Sequence, residues 1–127
     1  MRKSLLFVAA FTLLGVLFTA PLAAQESKAV RTMAGILMTV NHFPNDEQKK
    51  TLQAVAAEAT TTAQEKVLIQ AMLSMQHSVT EAEKPKVAAV VKDEKASAGA
   101  RTIAGILEKF LHTASEADKA ALKKIGA

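Results

Sequence analysis

The amino-acid sequence predicts an all-α fold made of three αα-hairpin repeats of 35 residues, six helices in total. Three observations predict this fold: the internal period, two aligned sets of helix-capping residues, and apolar residues spaced as on one face of a helix. We expect the hairpins to form either a short right-handed α-solenoid or a compact helical bundle.

The internal repeat is visible by direct alignment of the chain with itself. Residues 31–57 align without a gap on residues 101–127, a shift of 70 positions, and ten of the residue pairs are identical. Half that shift aligns the middle of the chain more weakly and places His42, His77 and His112 in one column. A fixed period of this size is typical of stacked helical units.

The first 24 residues have the pattern of a secretory signal peptide. Arg2 and Lys3 precede an apolar run over residues 5–18, and Pro21 and Ala24 stand where a signal peptidase cleaves. We expect cleavage after Ala24. An uncleaved membrane anchor is the alternative, because the apolar stretch reaches the roughly 20 residues that a membrane span needs.

The rest of the chain, residues 25–127, is predicted to be a single all-α domain. Repeats that start at Gln25 cover residues 25–59, 60–94 and 95–127. The repeat frame therefore agrees with cleavage after residue 24.

Helix-start signals recur at two positions in each repeat. Hydroxyl or amide side chains that can cap a helix stand before the first helices, at Ser27, Thr62 and Ser97, and before the second helices, at Asn45, Thr80 and Ser115. Thr62 with Glu65, and Thr80 with Glu83, are predicted capping boxes.

The predicted core follows from helical spacing within each repeat. Its members on the first helices are Met33, Ile36, Leu37, Val40, Leu68, Met72, Met75, Ile103, Ile106, Leu107 and Phe110, and on the second helices Leu52, Val55, Val87, Val90, Leu122 and Ile125. We expect the methionines, with Met38 beside them, to pack in this core; a Met-rich peptide groove is the alternative.

Two features depart from this regular pattern. Pro85 lies five residues after the predicted cap Thr80, so that helix is expected to begin late or to bend. Gly35 and Gly105 occupy the same mid-helix position of two repeats, and their recurrence suggests a close approach between helices.

Composition excludes several classes of protein. The chain has no cysteine, so disulfides, thiolate metal sites and a lipid-modified cysteine are excluded. Removing Arg2 and Lys3 with the signal peptide leaves 14 basic and 12 acidic residues, a net charge of +2. So mild a charge, with only Phe43 and Phe110 as aromatic residues after residue 24, argues against a nucleic-acid partner.

Basic residues form two further columns, Arg31, Lys66 and Arg101 on the first helices and Lys49, Lys84 and Lys119 on the second. The second column pairs with acids three positions earlier, Asp46, Glu81 and Glu116, as on a solvated helix face. A basic stripe for an acidic partner is the alternative interpretation.

The histidine column is the one constellation with a possible ligand chemistry. Three imidazoles can hold a divalent metal such as zinc. In an open stack, however, neighbouring helices lie about 8–10 Å apart, whereas ligands of one ion lie within about 3.5 Å of one another. We therefore expect no metal, with each histidine closing its own first helix. The metal site His42, His77 and His112, which requires a closed bundle, is the alternative.

No recurring acid–histidine–hydroxyl pattern, phosphate loop or metalloprotease motif indicates an enzyme, and no cofactor is predicted. We expect a non-catalytic, exported helical-repeat protein of the bacterial cell envelope, periplasmic or secreted, that serves as a binding or scaffold module. The expected partner is a protein or peptide, without nucleic acid and without stable membrane insertion after signal cleavage. The alternative is a metal- or small-ligand-binding periplasmic protein that uses the histidine column, and a metallo-hydrolase comes third.

Overall fold

The computed structural model describes residues 25–126, so the predicted signal peptide and its cleavage site lie outside the described residues. Its six helices are α1 (Lys28–Thr39), α2 (Asp46–Ala56), α3 (Ala63–Ser74), α4 (Lys84–Lys92), α5 (Ala98–Lys109) and α6 (Glu116–Gly126). No strand occurs in residues 25–126, and the prediction of an all-α fold is confirmed. Within that same range, none of the helices has the length and apolar character needed to cross a bilayer.

The first helix of each predicted hairpin begins where its capping residue predicts. The side chains of Ser27, Thr62 and Ser97 accept hydrogen bonds from the backbone N–H three residues later, at 3.1, 3.2 and 3.1 Å. The predicted capping box of Thr62 and Glu65 forms, with the Glu65 carboxylate accepting the Thr62 N–H in return. These caps satisfy backbone donors that a helix start leaves without an intrahelical partner.

The second helices follow the prediction at two of three positions. Asn45 caps α2 in a capping box with Gln48, and Ser115 accepts the N–H of Asp118 at 3.1 Å. The predicted capping box of Thr80 is wrong, because α4 begins only at Lys84 and has no side-chain cap.

Pro85 explains the late start of α4. Proline is tolerated in the first turn of a helix, where its missing N–H costs nothing. In the structure Pro85 stands in that first turn, and residues 81–83 form turns that lead into it. The expectation that this helix begins late is therefore confirmed.

The six helices form a closed bundle, in which the first helix contacts the last. The first helix α1 packs against the last helix α6, α4 packs against α5, and the three inner helices α1, α3 and α5 also contact one another. The ends of an open solenoid would not meet in this way. The compact-bundle alternative is thus the one that the structure shows.

The core lies along the inner helices and the facing sides of the outer ones. Met33, Leu68, Met72, Ile103 and Leu122 are completely buried. Met75 is also buried and Met38 packs partly buried against the same cluster, so the prediction that the methionines belong to the core is confirmed.

The expectation of a close helix approach at Gly35 and Gly105 is wrong. A Cβ atom at either position would meet nothing within 4 Å. Gly99 makes a tight contact of another kind, with a side chain, because a Cβ atom there would collide with the Glu26 carboxylate. That carboxylate accepts the Gly99 N–H at 2.8 Å and so ties the start of the described chain to the start of α5.

Candidate metal centre

The three histidines lie in the short loops that connect α1 to α2, α3 to α4 and α5 to α6. Each histidine lies two residues after the C-cap of its first helix, which is Val40, Met75 or Phe110, so the expectation that it closes that helix is wrong. As predicted, each is near solvent: His42 is half-buried, and His77 and His112 are exposed. The three loops meet at one end of the bundle, because the inner helices that precede them run side by side.

Each histidine is the central residue of a tight three-residue turn. Their φ angles are 68°, 62° and 64°, and they are the non-glycine residues with positive φ in the described range. The residue after each one donates its N–H back to the carbonyl of the residue before, at 2.9, 2.6 and 2.7 Å. This is the positive-φ γ-turn, a rare and strained conformation. Strain of this kind costs roughly 1–3 kcal/mol per residue and clusters at functional sites.

A cyclic set of backbone hydrogen bonds joins the three loops. The N–H of His42 donates to the carbonyl of His112 at 2.7 Å, His77 donates to His42 at 2.8 Å, and His112 donates to His77 at 2.7 Å. Each histidine therefore donates once and accepts once, and the ring closes. These bonds link the three turns to one another and hold them in place.

Buried apolar residues on both sides of each histidine attach the loops to the core. The residues two positions before and two positions after each histidine are all buried: Val40, Met75 and Phe110 before, and Pro44, Val79 and Ala114 after. Each loop is thus pinned on both sides of its histidine, which leaves the imidazole at the tip.

The imidazole rings converge on one point. The Nδ1 atoms of His42 and His112 are 2.9 Å apart, and that of His77 lies 3.0 Å from the first and 3.1 Å from the second. The ring planes stand at 71–83° to one another, like the blades of a propeller. The expectation that the rings do not converge is therefore wrong. It assumed the spacing of an open stack, whereas closure around an axis brings equivalent positions together.

Three converging Nδ1 atoms are electrostatically unfavourable by themselves. Each imidazole nitrogen directs either one lone pair or one N–H into the centre. A single proton can bridge two of the nitrogens, but the third then presents its lone pair to another lone pair, and a second proton would face the first. A cation at the centre accepts all three lone pairs at once. The donor set is also suitable, because neutral imidazole is the commonest protein ligand for transition metals.

The separations also indicate a coordination geometry. With metal–nitrogen bonds of about 2.1 Å, nitrogens about 3.0 Å apart subtend about 90° at the ion, and the ion lies about 1.2 Å out of their plane. These are three positions on one face of an octahedron. A tetrahedral site would need nitrogens about 3.4 Å apart, which a small outward movement of the rings would supply.

Uncharged and partly apolar residues surround this site. Segments 41–45, 76–80 and 111–115 contain no Asp, Glu, Lys or Arg, and each is followed directly by an acid, Asp46, Glu81 or Glu116. Phe43 and Leu111, the direct chain neighbours of His42 and His112, are 51% and 62% exposed, and they are the exposed large hydrophobic residues of the described range.

The predicted helix-face ion pairs form in two of three places. Glu81 pairs with Lys84, and Glu116 pairs with Lys119 at 3.4 Å. The ammonium of Lys49 lies 5.7 Å from the ring centroid of Phe43. A positively charged side chain is therefore close to the apolar rim, which consists of the exposed side chains of Phe43 and Leu111. Arg31, Lys66 and Arg101 are exposed on the first helices, as expected for solvated side chains.

A hydroxyl close to the histidines in sequence does not join the site. The hydroxyl of Ser74, close to His77 in sequence, donates to the carbonyl of Gln70 at 2.9 Å. Sequence reasoning missed the positive φ of the three histidines and the residues that frame them. The available signal was the identity of the residue itself, since a helix-closing role does not require the same side chain in three loops.

Comparisons of this chain with protein-family models, with curated proteins and with solved structures find no match.

Proposed function

We propose that this protein binds a divalent transition-metal ion through the Nδ1 atoms of His42, His77 and His112. The observation that carries the proposal is the triangle of Nδ1 atoms, with sides of 2.9–3.1 Å. An ion bound to all three atoms relieves lone-pair repulsion that neutral rings cannot relieve among themselves. Imidazole ligands suit zinc, nickel, copper and iron.

The strained turns support a binding role for the histidines. A structural loop would reach the same shape more favourably with Gly or Asn, which tolerate positive φ. Three histidines in that conformation instead indicate that their side chains are needed at the tip. Strain maintained at three equivalent positions fits a preorganised ligand set.

The repeat organisation and the export of the protein are inferred from the sequence and stay predictions. We propose three 35-residue repeats closed into a ring, so that each repeat supplies one ligand. The pattern of residues 1–24 favours export to the periplasm or beyond, where the domain would act as a non-catalytic metal-binding protein. A peptide-binding scaffold is less favoured, because a closed bundle does not offer the long concave surface of a solenoid.

Calorimetric titration of the purified protein with Zn²⁺ and Ni²⁺ at neutral pH tests this proposal. We expect one ion per chain, and loss of binding when all three histidines are replaced by Asn, which is enriched at positive φ. Gln76→Ala, in the same loop but without a ligand atom in the triangle, is the matched control and should bind normally. Binding that persists in the triple variant, or no stoichiometric binding in the unaltered protein, would refute the proposal.

A further inference from the structure

The open side of the metal centre should attract an anion; this inference rests on the proposed function. Three neutral imidazoles leave the full +2 charge of the ion uncompensated by its ligands. The acids nearest in the chain, Asp46, Glu81 and Glu116, each follow a histidine by four residues, and the last two are paired with Lys84 and Lys119. Three ligands on one face also leave up to three coordination positions free on the other side. Oxygen anions are common ligands at such positions.

The apolar residues beside the histidines indicate which kind of chemical group is attached to the anion. Phe43 and Leu111 are both exposed, and each adjoins a ligand histidine in the chain. Exposed apolar side chains beside a polar centre are typical of small-ligand sites, where a few polar groups fix orientation and apolar groups supply area. Lys49, with its ammonium 5.7 Å from the Phe43 ring, adds a second positive charge at the same edge.

We propose that this face binds a small carboxylate with an aliphatic or aromatic group. The carboxylate ligates the ion on its open side, and the apolar group lies against Phe43 and Leu111. Lys49 strengthens the attraction for the negative charge without contacting the ion.

The chain itself supplies matched substitutions for the rim. The position of Phe43 is occupied 35 residues later by Ser78, and the position of Leu111 is occupied 35 residues earlier by Gln76. Phe43→Ser and Leu111→Gln therefore place in each loop a residue that the same turn already accommodates elsewhere. Because both side chains are exposed and neither is a ligand, metal binding should be unaffected.

The test uses the Co²⁺-loaded protein, whose visible spectrum reports the ligands of the ion. Acetate and hexanoate are titrated separately. We expect both to change the spectrum, and hexanoate to bind about tenfold more tightly, the effect of burying about two methylene groups. The Phe43→Ser/Leu111→Gln double variant should bind acetate as before and lose the preference for hexanoate. Lys49→Gln should weaken both carboxylates by a few-fold, whereas Lys92→Gln, on α4, should change neither.

Three outcomes would overturn the inference. A Co²⁺ spectrum that neither carboxylate changes would refute an anion site while leaving the metal centre intact. Equal affinity for acetate and hexanoate would refute the role of the apolar rim. One ion per two chains, seen as a dimer by light scattering, would show that a second copy of this chain occupies the open face. Absence of Co²⁺ binding is a separate result, which refutes the metal centre and this inference with it.

Discussion

Replacing His77 by Gly tests separately whether the backbone at this position is strained and whether its side chain stabilises the protein by binding metal. His77 has φ of 62°, and its side chain is exposed, so truncation removes little buried surface. Removing the side chain's conflict with positive φ should gain about 1–2 kcal/mol, and the greater freedom of Gly in the unfolded chain should cost about 0.5–1 kcal/mol. Without metal, we therefore expect the variant to be more stable than the unaltered protein by about 0.5–1 kcal/mol.

Metal should reverse this order. A ligand at one hundred times its dissociation constant stabilises the native state by about 2.7 kcal/mol. The unaltered protein should gain this amount, whereas the variant, with two of three ligands left, should gain much less. The free energy of unfolding is measured by urea denaturation, first with a chelator and then with excess Zn²⁺.

The matched control is His77→Ala, which removes the ligand but keeps a Cβ atom at positive φ. We expect it to be less stable than His77→Gly by about 1 kcal/mol in the chelator. A Gly variant that loses stability without metal, or that equals the Ala variant, would refute the claim that this turn is strained.

Three further predictions concern the rest of the bundle. Gly35→Ala and Gly105→Ala should each stabilise the protein by about 0.5–1 kcal/mol in the same denaturation assay, because the added methyl meets no atom and Ala favours the helix; destabilisation would reveal a contact. The hydrogen bond from the Gln64 amide, aided by the Lys95 N–H, lowers the pKa of Asp93. Gln64→Ala should raise that pKa in an NMR titration; the stability that Asp93 contributes is present above its ordinary pKa and is lost as the pH falls through the lowered value. Deleting residues 95–127 should abolish cooperative unfolding, because α5 and α6 close the ring; a monomeric fragment that melts cooperatively would contradict this.

Local physical signals predicted the elements of the fold well. The caps Ser27, Thr62 and Ser97 each mark the residue before a helix. Pro85 correctly indicated the late start of α4, because the rule that confines proline to the first turn acts within a few residues.

The arrangement of those elements could not be read from the same signals. The 35-residue period defines a unit, but the rotation from one unit to the next depends on how the helices pack, and that rotation decides between an open stack and a closed ring. The geometry of the histidine site depends on that rotation, so the conclusion that His42 and His112 stay apart failed with it. The positive φ of the histidines also has a weak signal, because such values are uncommon for non-glycine residues even though His is enriched among them.

Anomalous X-ray diffraction from crystals of the Zn²⁺-loaded protein locates the bound ion directly. We expect one anomalous peak at the tip of the bundle, about 2.1 Å from the Nδ1 atoms of His42, His77 and His112 together. A peak elsewhere, coordination through Nε2 atoms, or no ion between the three rings would contradict it.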